Sequence, residues 1–162
     1  MYTLPTSNQL RRSFFVNSKR VLPKKLDPPP THQERVLQEL RNLGASRSAM
    51  QSGESRYLPE LIHKNESLGG VVYGHHKDGF AMLVATNRRV IFLDKKPMFF
   101  NEDEISYDVI SGVNFSHVGF GSTVILHSRI KDYALKTLNR KCAEEFVGYI
   151  ETRCLELEEG VK

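Results

Sequence analysis

The residues best suited to metal or acid–base chemistry are six histidines and two cysteines. His75 and His76 are adjacent, with Asp78 close behind them. Because this segment is predicted to be a strand, the two imidazoles point to opposite faces and cannot chelate one ion. His117 and His127 fall on different predicted strands, where only chance would bring them together. We therefore predict no metal site and no cofactor.

Nucleophilic catalysis has little support in the sequence. There is no Gly-x-Ser-x-Gly motif, and no cysteine lies near a plausible base. Cys142 and Cys154 share one predicted helix, roughly 18 Å apart and beyond the reach of a disulfide. A helix N-terminus near Cys142 would lower its thiol pKa, but a buried structural thiol is the simpler interpretation. We predict no catalytic residues, no enzyme activity and, from the reduced thiols, a cytoplasmic location.

The net charge of +4 over 162 residues is concentrated at the N-terminus. Residues 1–27 carry +5, and the rest of the chain sums to −1. Such an arm is typical of proteins that contact nucleic acid, an anionic membrane or an acidic partner. A solubilising or packing arm is an equal alternative. The candidate polyanion contacts are Arg11, Arg12, Lys19, Arg20, Lys24 and Lys25, with Phe14 and Phe15 as candidate apolar anchors.

The start of the arm also bears on targeting. Residues 10–15 are similar to a twin-arginine export signal, but the segment that follows is basic and interrupted by Pro23. An export signal requires an apolar stretch there, so we expect no export. The absence of acidic residues from positions 1–26 is shared with organelle transit peptides, which is a weaker alternative.

A stiff Pro28-Pro29-Pro30 break separates the arm, residues 1–30, from a predicted helical extension at residues 31–65. Thr31 and Glu34 form a capping box ahead of an apolar helical stripe, and Gly44 can end that helix. This apolar stripe must pack against an apolar surface, either on its own domain or on a neighbouring molecule. We expect a loop at residues 45–54 and then a short helix with Pro59 in its first turn.

From Glu66 onward, β-branched and aromatic residues occur in short runs cut by turn signals, which predicts about seven strands. We expect an acidic loop at residues 102–104, between two of the strand segments. Lys77, in the first hairpin turn, and Arg88, expected beside it, are candidate weak anion contacts. The predicted strand segments are Leu68–His76, Phe80–Thr86, Arg89–Asp94, Met98–Phe100, Ile105–Tyr107, Val109–His117, Thr123–Ser128 and Tyr133–Leu138.

Asn139 is a good N-cap for a C-terminal helix over residues 140–158. Its continuous apolar face comprises Ala143, Phe146, Val147, Ile150, Cys154 and Leu157. A meander of antiparallel strands followed by one amphipathic helix predicts an α+β domain at residues 66–159. In it, a partly open antiparallel β-barrel is capped by the helix, which buries its apolar face on the open end.

Two sequence runs give this layout a family resemblance. Val84–Leu93 resembles the run L-x-x-T-x-x-R followed by three apolar residues, and Ile105–Val113 resembles I-x-Y-x-x-I-x-x-V. Both are similar to the bacterial pleckstrin-homology (PH) domains, in particular the YokE-like ones, over about residues 60–156. The resemblance implies a PH-like fold and a binding role. Within it we assign structural roles to Arg89, Tyr107, Phe146 and Ile150.

These observations favour a non-enzymatic PH-like scaffold that mediates protein–protein contact, including self-association into a homo-oligomer. The groove between sheet and helix and the exposed strand edges of such a fold offer the contact surface. The alternative is a peripheral adaptor whose basic arm binds an anionic lipid surface or nucleic acid. No small-molecule substrate is expected.

Overall fold

The computed structural model describes residues 27–160. Three helices come first, at His32–Asn42 (α1), Arg47–Gln51 (α2) and Gly53–Leu61 (α3). Seven strands follow, at Leu68–His76 (β1), Gly79–Thr86 (β2), Arg89–Lys96 (β3), Phe99–Ser106 (β4), Ile110–Val118 (β5), Gly121–Ser128 (β6) and Asp132–Thr137 (β7). Helix α4, Arg140–Gly160, is the last element. None of these helices is both long and apolar enough to cross a membrane.

All seven strands belong to one antiparallel sheet, in the order β4-β3-β2-β1-β7-β6-β5. β1 and β7 share one register pair, His75 with Lys136. Gly74 lies so close to β7 that a Cβ there would overlap the Lys136 carbonyl group. β4 and β5 are the edge strands. The predicted fold class, a partly open antiparallel barrel with a C-terminal helix and an N-terminal helical extension, is confirmed.

Helix α4 closes one end of the barrel. Phe146 and Ile150 are buried in the same cluster as the inward side chains of the sheet. A Cβ on Gly70 would come within 2.9 Å of the Phe146 Cα, so this glycine lets α4 rest directly on β1. Cys154 is the last residue of α4 that packs on this core. Leu157 was expected in the buried face, but it is 45% exposed because the helix continues beyond the core.

A second core lies on the outer face of β1–β3, under the three N-terminal helices. Val36 and Leu40 of α1 and Leu58 of α3 are fully buried there. The apolar stripe of α1 therefore packs on its own barrel. The sheet residues of this core are Val71, Met82, Val84, Ile91 and Leu93.

Two expectations for the helical extension are wrong. The predicted loop at residues 45–54 contains α2 and the start of α3, because Ser46 and Ser52 cap these helices by accepting backbone N–H bonds of 3.2 Å. Pro59 lies in the interior of α3 rather than in its first turn. Because proline has no N–H, it cannot donate the helical hydrogen bond to the Ser55 carbonyl, four residues earlier in α3.

The expected acidic loop at residues 102–104 is also wrong, because β4 is one continuous strand. An edge strand tolerates charge, since one of its sides faces solvent. Two of the three carboxylates also have cationic partners: Asp103 lies 2.6 Å from Lys131, and Glu104 lies 2.5 Å from Arg89.

We predict that Phe146→Ala lowers the free energy of unfolding by about 3–5 kcal/mol, because it leaves a cavity between α4 and the barrel. Chemical denaturation of the purified chain measures this change. Leu155→Ala, at a 58% exposed position of the same helix, is the matched control and should change stability by less than about 0.5 kcal/mol. Equal effects of the two substitutions would contradict the placement of α4.

Candidate functional site: the β5 edge and the flank of α4

A buried ion pair joins the helical extension to the barrel. Glu66 is 1% exposed and lies just before β1. Its Oε1 accepts hydrogen bonds from the Thr86 hydroxyl at 2.7 Å and from Arg89 Nε at 3.1 Å. Its Oε2 accepts from the His63 backbone N–H at 3.1 Å and from Arg89 Nη2 at 3.2 Å. The carboxylate is therefore fully engaged.

Arg89 connects this carboxylate to two further elements. Its Nη2 donates to the Leu61 carbonyl at 2.9 Å, and its Nη1 pairs with Glu104 of β4 at 2.5 Å. Burial alone would raise the pKa of Glu66, but the hydrogen bonds from Thr86, His63 and Arg89 outweigh it and lower the pKa. Burial likewise opposes the charge on Arg89, yet its two carboxylate partners raise the pKa of the guanidinium.

Tyr107 lies beside this ion pair, in a single 3-10 turn between β4 and β5. Its hydroxyl donates to the Thr86 carbonyl, and the Arg153 guanidinium lies 5.7 Å from the centre of its ring. Burial raises the pKa of the Tyr107 phenol, so the side chain stays neutral. Its position suits a packing role rather than proton transfer.

We predict that Arg89→Ala lowers the free energy of unfolding by about 3–5 kcal/mol, because it leaves the Glu66 carboxylate buried without its cation. Arg140→Ala removes an exposed ion pair with Glu144 and is the matched control, with an expected loss below about 1 kcal/mol. Denaturation curves measure both. An Arg89→Ala loss as small as that of the control would contradict the structural role of the pair.

The lowered pKa of Glu66 also predicts a pH dependence. A carboxyl whose pKa is lower in the folded than in the unfolded state stabilises the fold above its unfolded pKa, and this contribution is lost as pH falls through the folded value. Between neutral pH and acid below the ordinary glutamate range, the wild-type chain should lose more stability than Glu66→Gln. Thermal unfolding across this range measures the difference. Parallel pH profiles would contradict the prediction.

The structure does not bring the two predicted anion contacts of the barrel together. Lys77 lies in the β1–β2 turn, with a φ of 49°, whereas Arg88 lies in the β2–β3 turn. The eight residues of β2 separate them, so the expected adjacency is wrong. An antiparallel hairpin places successive turns at opposite ends of the shared strand. The six basic residues of the arm lie outside the described residues.

The four histidines of the strands each have a local ring contact. His75 packs edge-on to Phe80, and His76 Nδ1 lies 2.9 Å from the Ala134 carbonyl oxygen. His117 lies 2.9 Å from the Ser122 hydroxyl, and His127 pairs with Asp132 at 2.9 Å. Within residues 27–160, no three histidine, cysteine or acidic side chains converge in a way that could hold a metal.

The two thiols are poorly suited to nucleophilic chemistry. Burial raises the pKa of Cys142, although it lies in the first turn of α4. Its Sγ donates to the Leu43 carbonyl at 3.1 Å. Burial and the neighbouring Glu158 raise the pKa of Cys154. A raised thiol pKa disfavours the reactive thiolate.

A groove of about 700 Å³ runs along the outer face where β1 approaches β7. Tyr73 and Phe80 form one wall, and Leu138 and the start of α2 form another. Its titratable lining residues are Tyr73, His75 and Lys136, so within the described chain it lacks a carboxylate that could pair with them. The groove is a mainly apolar recess rather than a site for acid–base chemistry.

The sheet has two open edges, β4 and β5, and of these only β5 contains no acidic or basic residue. β5 pairs with β6 on one side only, and the segment Ile110–Val118 contains no charged residue and no proline. Asn114 and Ser116 are exposed, while Val113 and Phe115 are half-buried against the barrel core. Alternate residues of such a strand direct N–H and C=O groups away from the sheet. Charge and proline, which commonly block strand addition, are both missing here.

One flank of α4 is acidic. α4 packs along both β1 and β5. Tyr149 and Arg153 face β1 and the β2–β3 turn, and Glu151 and Glu158 lie on the opposite side of the helix. Glu144, Glu145 and Glu156 have cationic partners within the helix. Within residues 27–160, Glu151, Glu158 and Glu159 have no ion-pair partner.

The sequence analysis predicts that exposed strand edges are contact surfaces, but it does not identify β5 as the uncharged edge. The available signal was the absence of charge from Ile110–Val118, in contrast to the acidic run of β4. The acidic flank of α4 was missed because it depends on which glutamates already have partners.

Two solved structures show a distant similarity to this chain. A DUF1696 family protein with a pleckstrin-homology domain from Shewanella loihica PV-4 aligns with a TM-score of 0.38 and 17% identity, covering 63% of this chain and 90% of that one. The hSac2 domain of the human phosphoinositide phosphatase Sac2 aligns with a TM-score of 0.40 and 13% identity, covering 80% and 85%. Likenesses at this level carry no functional argument.

No curated protein matches the sequence. The YokE-like character that the two sequence runs suggest stays a prediction. The family model described as "Bacterial PH domain" matches residues 62–152, which is more than half of the chain. The chain therefore belongs to the bacterial PH domain family.

Proposed function

We propose that this chain is a non-enzymatic binding module that contacts protein, including a second copy of itself, by strand addition at the β5 edge. The observation that carries the proposal is the uncharged, unpaired edge of Ile110–Val118. An extended segment laid on this edge would satisfy the outward N–H and C=O groups of β5. Each backbone hydrogen bond would contribute about 0.5–1.5 kcal/mol net.

Side chains near the edge would add contact area. Val113 and Phe115 supply half-buried apolar surface along the strand. Val118 and Phe120, at the turn that ends β5, are 82% and 95% exposed. Exposed apolar side chains grouped beside an open strand are typical of protein contact sites.

The absence of a catalytic constellation supports a binding role over an enzymatic one. In the described part of the chain the histidines lie apart, the thiols have raised pKa values, and the apolar groove lacks a carboxylate. The two free thiols also support the expected cytoplasmic location.

We predict that Ser116→Lys weakens self-association of the full chain by about fivefold or more, because a lysine on the edge strand opposes pairing with another chain. Light scattering over a concentration series measures the dissociation constant. Ser48→Lys, at an exposed serine of α2 beside the apolar groove, is the matched control and should leave it unchanged. If Ser48→Lys acts and Ser116→Lys does not, the groove rather than β5 is the contact surface.

The second candidate is the peripheral adaptor that binds anionic lipid or nucleic acid through its arm. The six basic residues against one acid in residues 1–27 favour it. The barrel itself contributes little, because Lys77 and Arg88 lie apart. Binding of the full chain to anionic vesicles or duplex DNA, with strong weakening by salt, would support this candidate over strand addition.

A further inference from the structure

We infer that the groove between β1 and β7 binds a small amphiphile of the fatty-acid type, with an apolar chain and one carboxylate head group. This site goes beyond the proposed function, because the residues that line the groove come from α2, β1, β2, β6, β7 and the link to α4, and not from β5. Three features support it: the size of the groove, its apolar walls, and an ammonium group without an acidic partner.

The groove forms at the weakest seam of the sheet. β1 shares eight register pairs with β2, from Leu68 to His76, but only one with β7, His75 with Lys136. The recess at this seam has a volume of about 700 Å³. Pockets for small ligands usually measure about 300–1,000 Å³. A recess of this size, confined to one seam, suits a small molecule better than a long polypeptide segment.

The walls of the groove present apolar surface to solvent. The rings of Tyr73 and Phe80 stack with their centres 5.5 Å apart and their planes at 20°. Phe80 is 54% exposed, and Leu138 of the other wall is 83% exposed. An apolar chain between these walls would remove both side chains from water, which is the main driving force for binding in such pockets.

One ammonium group in the groove has no acidic partner. Lys136 lines the groove, and its register neighbours, His75 of β1 and Thr123 of β6, are not acidic. Within residues 27–160, Lys136 takes part in no ion pair. The exposed hydroxyl of Ser48 also lies in the lining and can donate a hydrogen bond. A lysine ammonium is a compact point charge, so it favours an anionic head group.

The acidic residue that acts on the groove from outside its lining is Glu54. Burial, and after it the charge of Glu54, raises the pKa of the Tyr73 phenol. Glu54 is itself only 3% exposed, and its Oε1 accepts a hydrogen bond from the Lys95 backbone N–H at 2.8 Å. Because Tyr73 stays neutral and Glu54 is engaged elsewhere, no negative charge of the lining opposes a carboxylate in the groove.

The test titrates the full chain with octanoate, octanamide and octylammonium, three probes that share a chain and differ in charge. Octanoate should bind about fivefold more tightly than octanamide, and octylammonium should bind more weakly than both. Hexanoate should bind about tenfold more weakly than octanoate, because it lacks two methylene groups. Backbone amide shifts in NMR spectra measure each affinity, and the largest shifts should fall on Gly74, Gly121 and Leu138.

Two substitutions separate the charge from the walls. Lys136→Gln should weaken octanoate binding about fivefold and leave octanamide binding unchanged, since only the carboxylate loses a partner. Lys64→Gln, at an exposed lysine between α3 and β1, is the matched control and should change neither. Leu138→Ala should weaken octanoate and octanamide equally, by about threefold. Leu155→Ala, at an exposed leucine of α4, should not. Thermal unfolding of each variant checks that the barrel is intact.

Three results would overturn the inference: equal affinity for the three charged and neutral probes, shifts centred outside the groove, or a loss in Lys136→Gln no larger than in Lys64→Gln. If octanoate does not bind but Leu138→Ala weakens self-association, the groove is a protein contact and the inference fails. Octanoate should leave self-association unchanged, because β5 is not part of the groove. A failure of this site and a failure of strand addition at Ser116 are therefore separate results.

Discussion

The buried ion pair between Glu66 and Arg89 is the interaction on which the rest of the architecture depends. Arg89 contacts the end of α3 through the Leu61 carbonyl and contacts β4 through Glu104. Three parts of the chain that are distant in sequence are therefore fixed at one point. Breaking such a pair leaves a buried charge without its partner. The free-energy cost is comparable to much of a domain's net stability.

With the helical extension held on the barrel by this ion pair, only some surfaces remain available for contact with another molecule. Helices α1–α3 cover the outer face of β1–β3, and α4 closes one end of the barrel with Phe146 and Ile150. The β4 edge carries charge, and two of its carboxylates are paired. The β5 edge keeps unpaired backbone groups and no charge. Of the two edges of the sheet, β5 alone combines unpaired backbone groups with an absence of charged residues, in keeping with the proposed binding role.

Local patterns in the sequence predict most elements, and long-range contacts account for the failures. β1 is bounded as expected, because its apolar run ends at a Lys-Asp-Gly turn. Three acids in a row are typical of a loop and divide the predicted β4 into two pieces, because the cationic partners of Asp103 and Glu104 lie in the β6–β7 turn and on β3. Ser46 and Ser52, which cap α2 and α3, are residue types that are equally common in loops. The partner of Arg89 is 23 residues away, and the openness of β5 depends on the order of all seven strands. Neither the Arg89 partner nor the edge position of β5 can be recognised from a short stretch of sequence.

The central claim is that the β5 edge is the surface through which this domain contacts protein. The most direct measurement is NMR of the full chain, in a mixture of isotope-labelled and unlabelled copies, which detects only contacts between copies. The account predicts intermolecular contacts at alternate amide protons of Val113–His117, with none at β4. Contacts confined to β4 or to the groove between β1 and β7, with β5 unaffected, would contradict it.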